Sequence, residues 1–303
     1  MAVTAGVVLS NRFPYDAIEK AWLDAEDLGF ASGWVYDHFI GMTDVNDPYL
    51  EGWTLLAVLL ARSKRIRGGN LVLGNSYRHP AVLAKMAAAL DIASSGRLDI
   101  GLGAGWYEAE YDAYGIPFPK IGARMEALDE ALQVMKTLFT RDRANFNGQY
   151  YTITDSPFEP KSLQQPHPPL WVGGAGEKYL LRIAGERADG WNVWQIPVED
   201  YRRKAGILAG FAEAAGRDPA AIRRSIGISL AIAPTEAAVK SALERRAGDR
   251  ESENVIAGTP EQVAGHLRPY VEAGVQTFLI EGLAPFDREM LALFIQEVVP
   301  ALG

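Results

Sequence analysis

The chain has no cysteine, and only four of its 303 residues are histidine. The absence of cysteine excludes disulfides, thiolate metal sites and cysteine nucleophiles, and it is compatible with a reducing cytoplasm. The sequence contains no H-x-H or H-E-x-x-H pattern and no cluster of carboxylate ligands, so we expect no metal site. It also has no G-x-S-x-G motif, which disfavours a serine hydrolase of the α/β type.

The chain also lacks long hydrophobic runs and basic segments. The longest helix-like apolar run, residues 54–61, ends at Arg62 and is far shorter than the ~20 residues that span a bilayer. The amino terminus has no signal-peptide pattern. Thirty basic against 38 acidic residues give a formal net charge of −8, which argues against nucleic-acid and anionic-membrane partners. We therefore expect a cytoplasmic protein that acts on a small molecule.

The sequence does have a regular alternation of short apolar runs and amphipathic segments. Apolar runs of the kind buried in parallel sheets recur eight times, each followed by a helix-like segment. The clearest helix carries apolar side chains from Met125 to Phe139 at spacings of three and four residues. This rhythm predicts a single α/β domain over residues 1–303, folded as a (β/α)8 barrel, or TIM barrel. A doubly wound parallel sheet is the alternative.

One region interrupts the rhythm. Between residues 143 and 169 the periodicity gives way to Asn147-Gly148, Tyr150-Tyr151 and five prolines. This stretch is longer than a simple connector needs. We expect an irregular insertion between the fourth helix and the fifth strand of the barrel, lying over one end of the fold.

Two loops rich in glycine follow the fourth and fifth predicted strands. In a barrel the functional site lies at the carboxyl ends of the strands, so both loops belong to its rim. A backbone without side chains can turn its N–H groups toward an anion or a flat ring, although a tight turn needs no ligand. Because the two strands are neighbours, the loops predict adjacent walls for one large ligand. Their residues are Gly103, Ala104 and Gly105, and Gly173, Gly174, Ala175 and Gly176.

An acid–histidine pair, Asp37-His38, follows the second predicted strand on the same rim. Imidazole gains and loses protons near neutral pH, so His38 is a candidate proton donor or acceptor. Asp37 could bias the protonation of His38 or bind the ligand itself. The alternative is a capping aspartate and a half-buried histidine that close the end of the barrel.

Several of these blocks together resemble the luciferase-like monooxygenase superfamily of flavin- and deazaflavin-dependent oxidoreductases. The central block runs from Arg97 to Trp106, and the similarity covers essentially residues 3–299. Further similar blocks are Asp37-His38-Phe39, Tyr77-Arg78-His79-Pro80, Glu110-Tyr111, Gly148-Gln149-Tyr150-Tyr151, Leu170-Trp171-Val172-Gly173-Gly174 and Ala188-Asp189-Gly190-Trp191.

The resemblance implies a barrel that binds a flavin-like ring in its carboxyl-end mouth. The chain is most similar to the subgroup that uses coenzyme F420, a 5-deazaflavin, and is often called methylenetetrahydromethanopterin reductase-like. Such an enzyme transfers a hydride between C5 of F420 and a small organic substrate. An FMN-dependent two-component monooxygenase and a non-catalytic flavin-binding protein remain as alternatives. We also expect a homodimer.

The resemblance implies roles for individual residues as well. His38 matches the catalytic proton-handling residue, Asp37 matches a position that contacts the coenzyme, and the two glycine loops match segments that line it. Family members also carry a bulge in the third strand, often with a non-proline cis peptide bond, which falls near Asn70-Leu71 here. Asn70 and Leu71 are therefore counted with the coenzyme-binding residues.

The chain departs from the sugar-phosphate dehydrogenase branch at two positions. A catalytic glutamate directly follows the fourth-strand glycine loop in that branch, whereas Trp106 stands there in this chain. Met42 stands in for a tryptophan of the second-strand loop. A sugar phosphate is therefore disfavoured as substrate. We expect Trp106, Tyr107, Met42 and Trp194 to line a pocket for an apolar or planar substrate, with packing at the barrel rim as the alternative.

Overall fold

The computed structural model describes residues 2–42, 44–246, 255–281 and 287–303. The strands in these residues are β1 (Thr4–Leu9), β2 (Ser32–Val35), β3 (Arg67–Asn70), β4 (Leu73–Gly74), β5 (Leu98–Gly103), β6 (Arg143–Asn147), β7 (Thr152–Pro157), β8 (Leu170–Gly173), β9 (Gly190–Trp194), β10 (Arg223–Ile232), β11 (Val255–Gly258) and β12 (Thr277–Glu281). Parallel pairs join β1, β2, β3, β5, β8, β9, β10 and β12, and β12 pairs back to β1. The ring is the (β/α)8 barrel that the alternating pattern predicts, and the doubly wound sheet is wrong.

Helices connect the strands and bury their apolar faces. The helices are α1 (Tyr15–Leu28), α2 (Gly52–Arg62), α3 (Pro80–Ala93), α4 (Glu108–Ala113), α5 (Ile121–Thr140), α6 (Leu180–Arg187), α7 (Val198–Ala214), α8 (Glu236–Arg246), α9 (Pro260–Glu272), α10 (Arg288–Leu293) and α11 (Val299–Leu302), with a π-helical turn, Phe294–Val298, between the last two. In α5 the predicted stripe is buried at Leu128, Leu132 and Met135. None of the helices in the described residues has the length and apolarity to cross a membrane.

Helix α9 begins at Thr259-Pro260 with a well-formed cap. The Thr259 hydroxyl accepts a hydrogen bond from the Gln262 N–H at 3.5 Å, and Gln262 Oε1 accepts one from the Thr259 N–H at 2.9 Å. This reciprocal pair is a capping box, which satisfies backbone donors that the first helical turn leaves free. Pro260 occupies the first turn, where its missing N–H costs nothing.

The core has two parts, one on each side of the barrel wall. The larger part lies between the strands and the helices. The smaller part fills the barrel interior with the side chains of Val8, Trp34, Leu71, Trp171 and Leu279. This interior plug separates the carboxyl-end mouth of the barrel from the amino-end mouth.

The insertion lies where the sequence predicts it, between α5 and β8, and half of it is regular. β6 and β7 form an antiparallel hairpin with an irregular register. The hairpin turn rests on α5, because the carboxylate of Glu130 accepts hydrogen bonds from the N–H groups of Gln149, Tyr150 and Tyr151. The sequence also did not indicate α4, α8 or β11, three short elements without a strong apolar period. The prediction that the whole chain forms one domain stays a prediction.

Candidate active site

A pocket of about 510 Å³ opens at the carboxyl ends of the barrel strands. Several residues that the sequence singles out line it, namely Asp37, His38, Met42, Leu71, Gly105, Trp106 and Trp194. The other described lining residues are Tyr36, Val72, Leu73, Gly74, Tyr77 and Glu281. The remaining sequence candidates lie outside this lining, namely Asn70, Gly103, Ala104, Tyr107, Gly173, Gly174, Ala175 and Gly176.

The floor of the pocket is an interruption in the third barrel strand. β3 ends at Asn70 and β4 begins at Leu73, and the peptide bond between Leu71 and Val72 is cis. The resemblance implies this feature near Asn70-Leu71, and the structure has it one peptide further on. Leu71, Val72 and Leu73 together give the pocket an aliphatic surface.

Val72 explains the glycines on the two neighbouring strands. A Cβ atom on Gly103 would lie 2.6 Å from Val72 Cγ2, and one on Gly173 would lie 2.7 Å from Val72 Cγ1. Real Cβ atoms do not come so close to other heavy atoms. These two positions therefore need glycine to make room for the bulge, whether or not a ligand is bound.

The two loops that follow need glycine for their own packing. Gly105 has a φ of +78°, and a Cβ atom there would lie 1.9 Å from the hydroxyl of Tyr111. Gly174 has a φ of +133°, and a Cβ atom there would lie 2.7 Å from Leu180. Gly176 is open, since a Cβ atom would meet only Leu180, at 3.8 Å. Valine at Gly105 or Gly174 would therefore disturb the loop itself and would not test ligand binding cleanly.

His38 is paired with a carboxylate that the sequence did not single out. His38 Nδ1 lies 3.0 Å from Glu110 Oε2, and the Glu110 side chain is fully buried. Glu110 also accepts hydrogen bonds from the N–H groups of Phe39 and Ile40 and from the hydroxyl of Tyr77. α4 carries Glu110 to this place directly after the β5 loop.

The surroundings of Glu110 favour its charged form. Burial raises its pKa, but the hydrogen bonds from His38, Tyr77 and the Phe39 N–H outweigh burial, so the net pKa lies below its usual value. Burial and the neighbouring Glu110 raise the pKa of Tyr77, so its hydroxyl stays protonated and donates a hydrogen bond to Glu110. At neutral pH the site thus holds an ionised carboxylate surrounded by donors.

Asp37 has a different partner from the one that the sequence suggests. Both of its oxygens bind the guanidinium of Arg78, at 2.8 and 2.9 Å, and Oδ2 also accepts the Gly74 N–H at 2.9 Å. Arg78 donates in addition to Glu51. The Asp37 carboxylate is 2% exposed and fixes the loop after β4 to the end of β2. Among the described residues, Glu110 is the acid that pairs with His38.

Aromatic side chains form the outer wall of the pocket. Trp106 is 64% exposed, stacks on Tyr107 with ring centroids 5.2 Å apart, and meets the His38 ring edge-on at 5.7 Å. The Tyr107 hydroxyl donates to the Gly41 carbonyl at 3.3 Å, so Tyr107 supports Trp106 from behind. Trp194, 38% exposed, lies at the end of β9.

Sequence reasoning missed Glu110, Tyr77 and Arg78 as members of the site. Each lies in a block that resembles the family, so a search of those blocks for charged and hydrogen-bonding side chains near the strand ends would have named them. Nothing local in the sequence says that Glu110 meets His38, because 72 positions separate the two residues. Within the described ranges, no three His, Cys, Asp or Glu side chains are grouped to hold a metal ion.

Comparison with known proteins identifies the family. Residues 3–254 match the model of the luciferase-like monooxygenases. The chain belongs to this family. The F420-dependent glucose-6-phosphate dehydrogenase of Amycolatopsis mediterranei is 28% identical, with 95% of each chain covered. The F420-dependent hydroxymycolic acid dehydrogenase of Mycobacterium tuberculosis is 30% identical over 78% of this chain and 65% of that protein.

A solved structure has the same fold. The coenzyme F420 dependent tetrahydromethanopterin reductase from Methanopyrus kandleri has a TM-score of 0.84 to this chain and 23% identity, with 100% of both chains covered. At this identity the likeness speaks for the barrel alone. It agrees with the ring of eight strands described above.

Proposed function

We propose that this luciferase-like protein is an F420-dependent oxidoreductase that transfers a hydride between C5 of the coenzyme and a small organic substrate. The observation that carries the proposal is the carboxyl-end pocket, where His38 and an aliphatic floor face the same space. Relatives that align over most of the chain are F420-dependent dehydrogenases, which supports the choice of coenzyme.

The pocket has the features that a deazaflavin ring needs. Its volume falls in the range of about 300–1,000 Å³ that is common for ligand sites. Leu71, Val72 and Leu73 would hold one face of the tricycle. The open backbone at Gly176, next to the β5 loop with Gly103 and Ala104, would receive the more polar part of the coenzyme. In this proposal Asp37 contacts the coenzyme from the pocket wall, and Asn70, buried at the end of β3, supports the floor of the site.

The protein itself has to handle one proton. When bound, an oxidised deazaflavin takes up a hydride at C5, and its reduced form returns it. When an alcohol is oxidised by hydride transfer, its oxygen must lose a proton. When a carbonyl is reduced, its oxygen must gain one. His38, half-buried at the pocket wall, is the group that we expect to accept or donate that proton.

A titration of the purified apoprotein with F420 and with FMN in parallel tests the choice of coenzyme. We expect F420 to bind at least about tenfold more tightly, a difference of about 1.4 kcal/mol. Tighter binding of FMN would favour the alternative, an FMN-dependent two-component monooxygenase. Binding of F420 with no turnover across a panel of alcohols and ketones would favour a non-catalytic flavin-binding protein.

We further propose that the substrate is uncharged and largely apolar. Met42, Trp106 and Trp194 supply apolar lining, with Tyr107 behind Trp106. The described lining includes the carboxyl groups of Asp37 and Glu281 and no lysine or arginine. A phosphate dianion would be desolvated there without a cation to pair with, which is costly. Turnover of glucose 6-phosphate as fast as that of an uncharged secondary alcohol would contradict this proposal.

We propose two further properties, a cytoplasmic location and a homodimer. The absence of cysteine supports a place in the reducing cytoplasm. A homodimer is also expected, with exposed apolar side chains such as Val58 on α2 and Val82 on α3 as candidates for its contact surface. Sedimentation of the purified protein distinguishes a dimer from a monomer of 33.1 kDa.

A further inference from the structure

The hydrogen bonds around Glu110 determine which ring nitrogen of His38 carries a proton toward the carboxylate. Its Oε1 accepts the N–H groups of Phe39 and Ile40, the latter at 3.2 Å. Its Oε2 accepts the Tyr77 hydroxyl and faces His38 Nδ1 at 3.0 Å. An ionised carboxylate can only accept hydrogen bonds, so the proton between Glu110 and His38 has to be on Nδ1.

We propose that Glu110 is a positioning residue that fixes neutral His38 as the Nδ1–H tautomer and so makes Nε2 the proton acceptor of the active site. The inference rests on the proposed function, because it assigns the state in which His38 meets the substrate. Nδ1 is occupied by a side chain that is fully buried, whereas His38 itself is 12% exposed and lines the pocket. The edge of the ring away from Glu110 is therefore the one available to a ligand.

The tautomer determines which ring nitrogen of His38 exchanges a proton with the substrate. A bare Nε2 accepts a proton, so the site is ready for an alcohol. In the alcohol direction the hydroxyl proton would pass to His38 Nε2, and the O–H electron pair would form the carbonyl π bond as the hydrogen on the carbinol carbon leaves as a hydride, for which bound oxidised F420 would be the acceptor. The imidazolium that results lies against the Glu110 carboxylate, which stabilises it. In that direction His38 Nε2 acts as the base, and in the reverse direction the same atom returns the proton.

Glu110→Gln tests the proposal because hydrogen bonds from the backbone fix the orientation of the new side-chain amide. Two N–H groups donate to the position of Oε1, so the amide oxygen has to stay there. The amide nitrogen then replaces Oε2 and presents an N–H to His38 Nδ1. A donor at this point requires a bare Nδ1, so the proton moves to Nε2. The edge that faces the pocket changes from an acceptor to a donor, with little change of shape.

The tautomer can be read in the apoprotein without coenzyme or substrate. We would label the imidazole nitrogens with nitrogen-15, record two-bond proton–nitrogen correlations over a pH series, and read the tautomer where the His38 ring is neutral. The chain has only four histidines, and the signals of His38 are those that disappear in His38→Gln. We expect a protonated Nδ1 and a bare Nε2 in the wild type, and the reverse in Glu110→Gln. A wild-type His38 with its proton on Nε2, or with an even mixture of tautomers, overturns the proposal.

Two variants serve as controls. Glu26→Gln makes the same change at another buried carboxylate, which accepts the N–H groups of Lys64, Arg65 and Ile66 far from the pocket. We expect it to leave both the tautomer and the turnover unchanged. Asp37→Asn tests the acid next to His38 in the sequence, and it should leave the tautomer of His38 as it is. Reversal of the tautomer in Asp37→Asn would contradict the assignment of Glu110.

Kinetics give a second readout once a substrate is known. Loss of a general base lowers turnover by about 10²–10⁴-fold, so we expect a fall of that order in kcat for alcohol oxidation by Glu110→Gln. The KM for the alcohol should change much less, because Glu110 does not line the pocket. Equal losses in Glu110→Gln and Glu26→Gln would mean that a general structural effect is responsible. Failure of F420 to bind would end the proposed function but would leave the tautomer result standing.

Discussion

The two mouths of the barrel are built from the same strands and differ in how their polar groups are used. The amino-end mouth encloses a cavity of about 240 Å³ whose charged groups bind one another. Asp99, 3% exposed, accepts Arg67 Nε at 2.7 Å and Trp171 Nε1 at 3.1 Å. The carboxyl-end mouth is about twice as large, and one edge of His38 is left facing the pocket.

This difference separates stability from function. At the amino end Arg67 also donates to two backbone carbonyls and to Gln164, so its hydrogen bonds close the barrel. At the carboxyl end Asp37 and Glu110 are equally well paired, but their pairs hold a loop and a histidine beside an open pocket. Barrels carry their chemistry at the carboxyl end and their stabilising contacts at the other end. Substitutions at the two ends should therefore have separable effects.

The largest effect on folding should come from Asp99→Ala. Removal of this carboxylate leaves the Trp171 indole N–H without its acceptor and takes one of four hydrogen-bond partners from Arg67, which should cost about 1–3 kcal/mol of unfolding free energy. We expect coenzyme binding and turnover of the folded fraction to persist. Urea denaturation together with an F420 titration measures both quantities. Loss of coenzyme binding with normal stability would contradict the assignment of stabilising contacts to the amino end and function to the carboxyl end.

The largest effect on activity should come from His38→Ala. Without a proton acceptor at the pocket wall, turnover should fall by about 10²–10⁴-fold. Coenzyme affinity and the urea midpoint should change little, since His38 lies at the mouth and not in the core. Steady-state rates with a substrate found by screening, measured beside the titration, give the result. Near-normal turnover would mean that His38 only packs at the end of the barrel and does not transfer a proton.

A smaller effect is expected for Trp106→Ala. Trp106 is mostly exposed, so its loss should barely change stability. A good aromatic contact contributes about 0.5–1.5 kcal/mol, so the KM for an apolar substrate should rise by roughly 2- to 13-fold. Leu163→Ala, at a similarly exposed position in the insertion, is the control and should leave KM unchanged. An unchanged KM in Trp106→Ala would mean that Trp106 only packs at the barrel rim and does not contact the substrate.

The barrel and the position of His38 could be predicted because they depend on local patterns. Strand and helix periods alternate eight times, and a residue that follows a barrel strand lies on the rim wherever its side chain points. The pairing of His38 could not be predicted in this way. Asp37 is adjacent in the sequence but binds Arg78, whereas Glu110 reaches His38 only because the β5 loop and α4 return to the end of β2.

The glycine loops show a different limit. The sequence says that side chains are missing at Gly103 and Gly173, and a ligand is one reason for this. The structure supplies another reason, because the side chain of Val72 takes up the space. A non-local bulge cannot be seen in the spacing of glycines on two other strands. The hairpin of the insertion was missed for a similar reason, since its strands are mostly exposed and carry little apolar alternation.

A crystal structure of the complex with F420 tests the central claim most directly, because it shows which mouth of the barrel holds the coenzyme. The account predicts that the deazaflavin ring lies in the carboxyl-end pocket, with one face on the side chains of Leu71, Val72 and Leu73 and its reactive edge toward His38. A ring bound in the amino-end cavity beside Asp99, or elsewhere on the surface, would contradict it.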